Sequence, residues 1–381
     1  MNVTSNISFK TLYYLVPALL VIILISCNPE NEEIQKIDYA SLDEIELELE
    51  LKITDSENFA ASNLNGFYAT KDGNLLITER SGPGIHQFNS EGDYVKRVAR
   101  DGRGPGELSP WFHSHFNGET LIATNNPGYN AAIFQQDEDG IFQYVKAMNQ
   151  RYPGSFYGFR AENDLNSFYS SENKAMQSLQ VPPEFTYSNI HIIDLKNDTV
   201  AVRDSINSLR VHSDFVEDLD GRGIRITKLP YRYSDTFQPL PGGKFLIARP
   251  EKGTINIYNS ELNIEHELEL NVSDRLVSSE DLEYHIGDYD ASTQEKMSEL
   301  ISDIKPPFMD VKMDDSNRFW LWTDETERGL EYVILSYEGE PLGKVYLPSG
   351  EKIEIISDNR LFVISEPDDD IPSAIVYRVD I

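Results

Sequence analysis

Two histidines separated by a single residue, His113 and His115 in WFHSHF, are the most closely spaced imidazoles in the chain. On an extended strand, positions 111, 113 and 115 share one face, so Trp111 sits with both of them. Such a pair offers two nitrogen ligands to a divalent metal, and a third must come from elsewhere in the fold. Without a metal they read as ordinary polar or packed histidines. The stretch RDGRGPGEL, residues 100–108, raises phosphate binding and then argues against it. A dinucleotide loop needs G-x-G-x-x-G opening a helix. Here Gly106 comes too early, Pro105 removes a backbone donor, and Leu108-Ser109-Pro110-Trp111 does not start a long helix. The loop therefore reads as a tight crossing between strands, with Arg103 and Glu107 able to pair across it. In DFVEDLDGRG, Asp214, Asp218, Asp220 and Gly221 approach the order of a calcium loop, but Arg222 stands where an oxygen ligand belongs. Neither G-x-S-x-G nor H-E-x-x-H occurs. Aromatic residues are plentiful, with 20 Tyr, 18 Phe and 3 Trp. Tyr157 and Tyr233 join Trp111, His113 and His115 as candidates for a face that holds a sugar or a peptide.

What must position these residues is a repeat. A turn residue, a short apolar run, a polar gap and an alternating stretch recur six times, beginning with DGNLLIT and ending with NRLFVIS. Leu76, Leu121, Phe168, Leu246, Trp320 and Phe362 are equivalent apolar positions. The shorter intervals are about 45 residues, the length of a four-stranded propeller blade, and the longer ones are a blade plus an insertion. Unbroken runs such as Leu75-Leu76-Ile77 suit strands covered on both faces. Alternating stretches suit half-buried outer strands. The sixth copy ends at Ile381 with no room for a fourth strand, so the alternating IELELELKI, residues 45–53, is expected to supply it and to close the ring. Residues 273–305 break the pattern and read as partly helical. Ser292 is the expected N-cap with Glu295 three residues on, and Met297, Leu300, Ile301 and Ile304 follow at helical spacing. This insertion reads as a lid over one rim or as simple packing on it.

The chain carries 64 acidic and 33 basic residues, for a net charge of -31. A field of that sign repels nucleic acid and anionic lipid, so no nucleic-acid partner is expected. At the N-terminus, an apolar run too short to span a bilayer comfortably ends in Leu24-Ile25-Ser26-Cys27. This resembles the bacterial lipoprotein box. The resemblance implies cleavage after Ser26 and lipidation of Cys27, with palmitate among the acyl chains, and hence membrane attachment through that residue. Cys27 is the only cysteine. Three parts are expected: a signal peptide at 1–26, an acylated tether at 27–40, and a propeller at 41–381. Glu30, Glu32 and Glu33 resemble an acidic tether that directs some Gram-negative lipoproteins outward, so either a periplasmic or a cell-surface face of the outer membrane is open.

In its lipobox, its six copies and its Gly102-Arg103-Gly104-Pro105-Gly106-Glu107 loop, the chain resembles the six-bladed β-propeller lipoproteins of Gram-negative bacteria, a group related to NHL-repeat propellers. The third copy departs from the pattern, with Leu165 where glycine is expected. The resemblance implies an all-β, six-bladed fold closed by an N-terminal strand, and an envelope location. It hands over no catalytic residue. The leading expectation is a non-enzymatic binding or scaffolding propeller that recognises a glycan, peptide or protein at one rim and needs no cofactor. The alternative is a calcium-dependent hydrolase or lyase with its metal in the central channel.

Overall fold

The computed structural model describes residues 36–80, 82, 84–110, 112–125, 130–148, 155–159, 167–173, 185–196, 199–212, 215–218, 224–227, 229–367 and 371–381. Cys27, Trp111, Asp214, Asp220, Gly221 and the acidic run Asp368-Asp369-Asp370 lie outside them, as do the side chains of Asp218 and Tyr157. The described chain from Asp38 onward is almost wholly antiparallel sheet.

Six four-stranded sheets and one two-stranded hairpin make up this region. Each of the apolar runs found in the sequence forms the second strand of a sheet: Leu75–Glu79, Thr120–Asn125, Ser167–Asn173, Phe245–Arg249, Phe319–Thr326 and Arg360–Ser365. Leu76, Leu121, Phe168, Leu246 and Trp320 are fully buried there, and Phe362 nearly so. Packing between sheets on both faces leaves these strands no solvent side, which is why they do not alternate. The outer strand Tyr94–Ala99 does alternate, with Tyr94, Lys96 and Val98 half-buried and Val95 and Arg97 directed the other way.

Hairpin chemistry repeats with the sheets. At the turn between third and fourth strands, a polar side chain accepts two backbone N–H groups from the turn itself. Asn89 takes those of Glu91 and Asp93, Asp137 those of Asp139 and Ile141, Asn259 those of Glu261 and Asn263, and Ser336 those of Glu338 and Glu340. Short polar side chains can stand in for a missing ladder partner in this way.

Neighbouring sheets interlock through shared apolar clusters. Tyr68 and Leu76 of the first sheet pack with Leu121 and Phe134 of the second. Ile122 and Ile133 of the second meet Phe156 and Phe168 of the third, and Tyr169 of the third meets Phe237 and Phe245 of the fourth. Between the fourth and fifth sheets, Gln238 Nε2 donates to the Met313 carbonyl while its Oε1 accepts the Met313 N–H. Trp320 and Tyr332 of the fifth pack on Ile353 and Val363 of the sixth, and Phe362 and Val376 of the sixth pack on Phe67 and Leu75 of the first. Strand Leu47–Ile53 lies antiparallel to Ser373–Val379 and occupies the outer position of the sixth sheet.

Two expectations are corrected. The insertion holds two short helices, Ser279–Ile286 and Ala291–Ser298. Ser292 lies inside the second, whose N-cap is Asp290, because the Asp290 carboxylate accepts from the Ser292 and Thr293 N–H groups. The capping box belongs instead to Ser278 and Asp281 of the first helix. Met297 is buried, whereas Leu300 and Ile304 lie beyond the helix end and are exposed. In the glycine loop, Arg100 rather than Arg103 pairs with Glu107, at 3.1 Å. The Glu107 carboxylate also accepts the Gly104 N–H at 2.7 Å, and these two contacts hold it below the usual carboxylate range. The loop joins the outer strand of the first sheet to the inner strand of the second. Gly106 is required there: its φ is 75°, and a Cβ would lie 2.8 Å from Tyr144 Cγ.

Candidate functional site

A cavity of about 210 Å³ opens between the sixth and first sheets, at the end where their inner strands, Glu351–Ser357 and Leu64–Ala69, begin. Asn63, Asn65 and Arg80 come from the first sheet and its flanks, and Lys352, Glu354 and Glu366 from the sixth. Leu64 and Ile364, both buried, supply apolar lining. The edges of two sheets therefore present hydrogen-bonding groups of both charges over an apolar surface.

Each polar group is held by the backbone geometry around it. Asn65 Nδ2 donates to the Phe112 carbonyl of the second sheet at 3.0 Å, and its Oδ1 accepts from the Thr78 hydroxyl at 2.8 Å. The Arg80 N–H donates to the Asn63 carbonyl, which ties both residues to the pocket mouth. Lys352 Nζ lies 2.6 Å from Glu354 Oε1, a contact between residues two apart on one strand face. Glu354 is only 13% exposed, whereas Lys352 reaches into solvent.

His113 borders this group. Arg80 Nη2 lies 3.2 Å from His113 Nδ1. A guanidinium has no lone pair to accept with, so the imidazole accepts, and its other nitrogen carries the proton. Partial desolvation and the adjacent Arg80 charge both push the His113 pKa down. His115, on the same face of the strand, turns to the third sheet and packs its ring 5.1 Å from that of Phe156. Burial, reinforced by His113, drives the His115 pKa to about 4. Ser114, between them, is buried and meets the Tyr68 and Thr78 hydroxyls at 3.0 and 2.9 Å. The two imidazoles thus face different surroundings, and among the described residues no three His, Cys, Asp or Glu side chains gather as a metal would require.

Tyr233 belongs to the segment leading into the fourth sheet, alongside the helical insertion. Its neighbour Arg232 donates to the Leu300 carbonyl at 3.4 Å. Tyr231, two residues earlier, enters a buried polar network. Its hydroxyl lies 3.3 Å from Asp324 Oδ1, and burial with the carboxylates of Asp324 and Asp281 raises its pKa far above the ordinary phenol. Lys305 Nζ bridges Asp281 at 2.8 Å and Asp324 at 2.7 Å, all three side chains nearly enclosed. Arg275 donates to the carbonyls of Pro306 and Thr323 and stacks its guanidinium on the ring of Tyr39. This network fastens the insertion to the fifth sheet and to the start of the described chain. Sequence reading missed both Arg80 and this network, because neither has a local motif.

No family model matches the chain, and no curated protein matches it. Solved structures do. A member of the DUF4221 family from Bacteroides vulgatus superposes with a TM-score of 0.52 at 14% identity, covering 89% of this chain and 99% of its own. A candidate exported protein from Bacteroides fragilis gives 0.49 at 11%, covering 91% and 100%. A streptogramin B lyase gives 0.42 at 12%, covering 88% and 98%. At these identities the likeness speaks to fold alone. The chain is an all-β protein of β-propeller type with few helices.

Proposed function

We propose that this protein is an envelope lipoprotein whose propeller binds a polar ligand at the rim where the inner strands begin. In this reading residues 1–26 are removed, Cys27 is acylated, and 27–40 tether residues 41–381 to the outer membrane. The six four-stranded sheets are the blades of one ring, and Leu47–Ile53 shuts it. Shared apolar clusters join the first four sheets in sequence, the fifth to the sixth and the sixth to the first, and the Gln238–Met313 hydrogen bonds link the fourth to the fifth; these contacts support that closure. The observation that carries the binding role is the cavity between the sixth and first sheets. It has amides, a guanidinium and carboxylates around buried apolar lining, with no nucleophile paired to a base among its lining residues. Recognition of a glycan, peptide or partner at this rim, without catalysis, fits such a lining.

Two experiments test the reading. Labelling cells with an alkyne palmitate should mark the native chain and not Cys27→Ala. Full-length protein in detergent, applied to glycan and peptide arrays, should retain one class of ligand and lose it in Glu366→Trp, which plugs the pocket mouth. Binding unaffected by that plug would place recognition elsewhere. The calcium-dependent alternative predicts a stoichiometric ion in metal analysis of the purified chain.

A further inference from the structure

The cavity contains one positive charge without a carboxylate partner among the described residues. Arg80 makes its side-chain contact with a neutral imidazole, and among the described residues it has no carboxylate partner. Its Nε is buried and bonded to nothing among the described residues. An arginine stays protonated at any ordinary pH, so this charge is permanent. In a chain with nearly twice as many acidic as basic residues, such a guanidinium has had many chances to acquire a partner. Arg80 lines the cavity, so its guanidinium can give a charge-assisted contact to an anion bound there.

The rest of the lining narrows the anion. Glu354 and Glu366 put two carboxylates on the sixth-sheet side, and Lys352 answers only the first. A bare inorganic anion would meet that negative side and gain nothing from it. A neutral sugar would leave the Arg80 charge without a counter-ion. Leu64 and Ile364 invite a small apolar portion. The volume, about 210 Å³, equals that of about seven waters at ~30 Å³ each, enough for a molecule of roughly amino-acid size.

We infer that this pocket binds a small zwitterion, an α-amino acid or a similarly compact amine–carboxylate, with its carboxylate on Arg80 and its ammonium toward Glu366 and Glu354. The inference deepens the binding role proposed above and rests on that pocket being the site.

The test uses full-length protein in detergent and isothermal calorimetry with L-leucine, L-leucine methyl ester, 4-methylpentanoate, inorganic phosphate and galactose. L-leucine should bind saturably. The ester lacks the carboxylate and 4-methylpentanoate lacks the ammonium, and each should bind about tenfold weaker or worse, as expected for losing a charge-assisted contact. Arg80→Gln should abolish the preference for acid over ester, and Arg80→Lys should restore part of it. Glu366→Gln should weaken L-leucine and leave 4-methylpentanoate unchanged. Equal binding of acid and ester to the native protein overturns the inference, and that comparison needs no variant to fold. Tighter binding of galactose or phosphate than of L-leucine, blocked by Glu366→Trp, also overturns it while leaving the pocket as the binding site. Failure of all five probes overturns it too, and retained array binding that the plug blocks would then show that only the ligand class was wrong.

Discussion

His115 shows how far burial outweighs a residue's ordinary chemistry. Desolvation beside Phe156, with the neighbouring His113 adding to it, drives the imidazole to about 4 from 6.5, even though the Phe156 carbonyl pulls the other way. The folded chain therefore refuses a proton that the unfolded chain accepts. Stability from this residue is full above about pH 6.5 and falls as pH drops from there toward 4, with a slope of up to about 1.4 kcal/mol per pH unit. His115→Gln should flatten the native protein's loss of stability across that window by about this slope, read from urea midpoints at a series of pH values. Identical slopes for the two proteins would show that the imidazole takes up its proton as readily in the folded as in the unfolded chain. The two imidazoles face different neighbours, His115 the ring of Phe156 and His113 the guanidinium of Arg80.

At the scale of elements, the insertion at 273–305 is held more by polar contacts than by an apolar face. Its small core is Leu229, Ile286 and Met297. Asp281 serves twice: it caps its own helix through the Ser278 N–H at 2.7 Å and pairs with Lys305 at 2.8 Å. Burial alone would raise its pKa, but the bonds from Lys305 and Ser278 outweigh burial and hold it below the usual carboxylate range. Its contribution is thus present above the unfolded carboxylate pKa and is lost as pH falls through the lowered folded value. Ser278→Ala removes one half of the capping box and should cost about 1 kcal/mol. Lys305→Met leaves two enclosed carboxylates facing each other and should cost about 3–5 kcal/mol. Hydrogen exchange should place the second loss in 275–305 and in strand Phe319–Thr326, with the other sheets unchanged. Uniform loss across all sheets would show that the insertion is not a separate cooperative unit.

For the whole molecule, the decisive contact joins the two ends of the described chain. Leu47 pairs with Val379 and Ile53 with Ala374. Glu50 reaches over Ser373–Val379 to Arg360 of the next strand at 2.6 Å, and Glu44 meets Arg328 at 2.7 Å on the fifth sheet. Ile53 is buried in the cluster that also holds Phe67 and Phe362, so Ile53→Ala should cost about 2–5 kcal/mol in a denaturant melt. Deleting residues 38–53 bares the edge of Ser373–Val379, a template for pairing with other chains. The truncated protein should self-associate in light scattering, and a peptide spanning 45–55 added in trans should reverse it. A monomeric truncation with native stability would show that the strand is dispensable.

Local patterns were enough to mark out the strands. Leu76, Leu121, Phe168, Leu246, Trp320 and Phe362 all lie on second strands, because an unbroken apolar run between turn residues has few other uses in a sheet protein. The glycine loop was legible as a crossing for the same reason: its dihedral demands are met within nine residues. Partner choice was not legible. Arg100 took Glu107 in place of Arg103, and Asp290 took the cap in place of Ser292, since geometry three residues long turns on angles that composition does not encode. Arg80 reaches His113 across 33 positions, and Lys344 reaches the Tyr39 carbonyl across 305. The alternation of residues 45–53 announced a strand, and the missing strand of the sixth copy pointed to its neighbour Ser373–Val379. Period and turn chemistry act within a few bonds of the backbone. The pocket and the buried ion network exist only after the sheets have packed, and packing alone brings their members together.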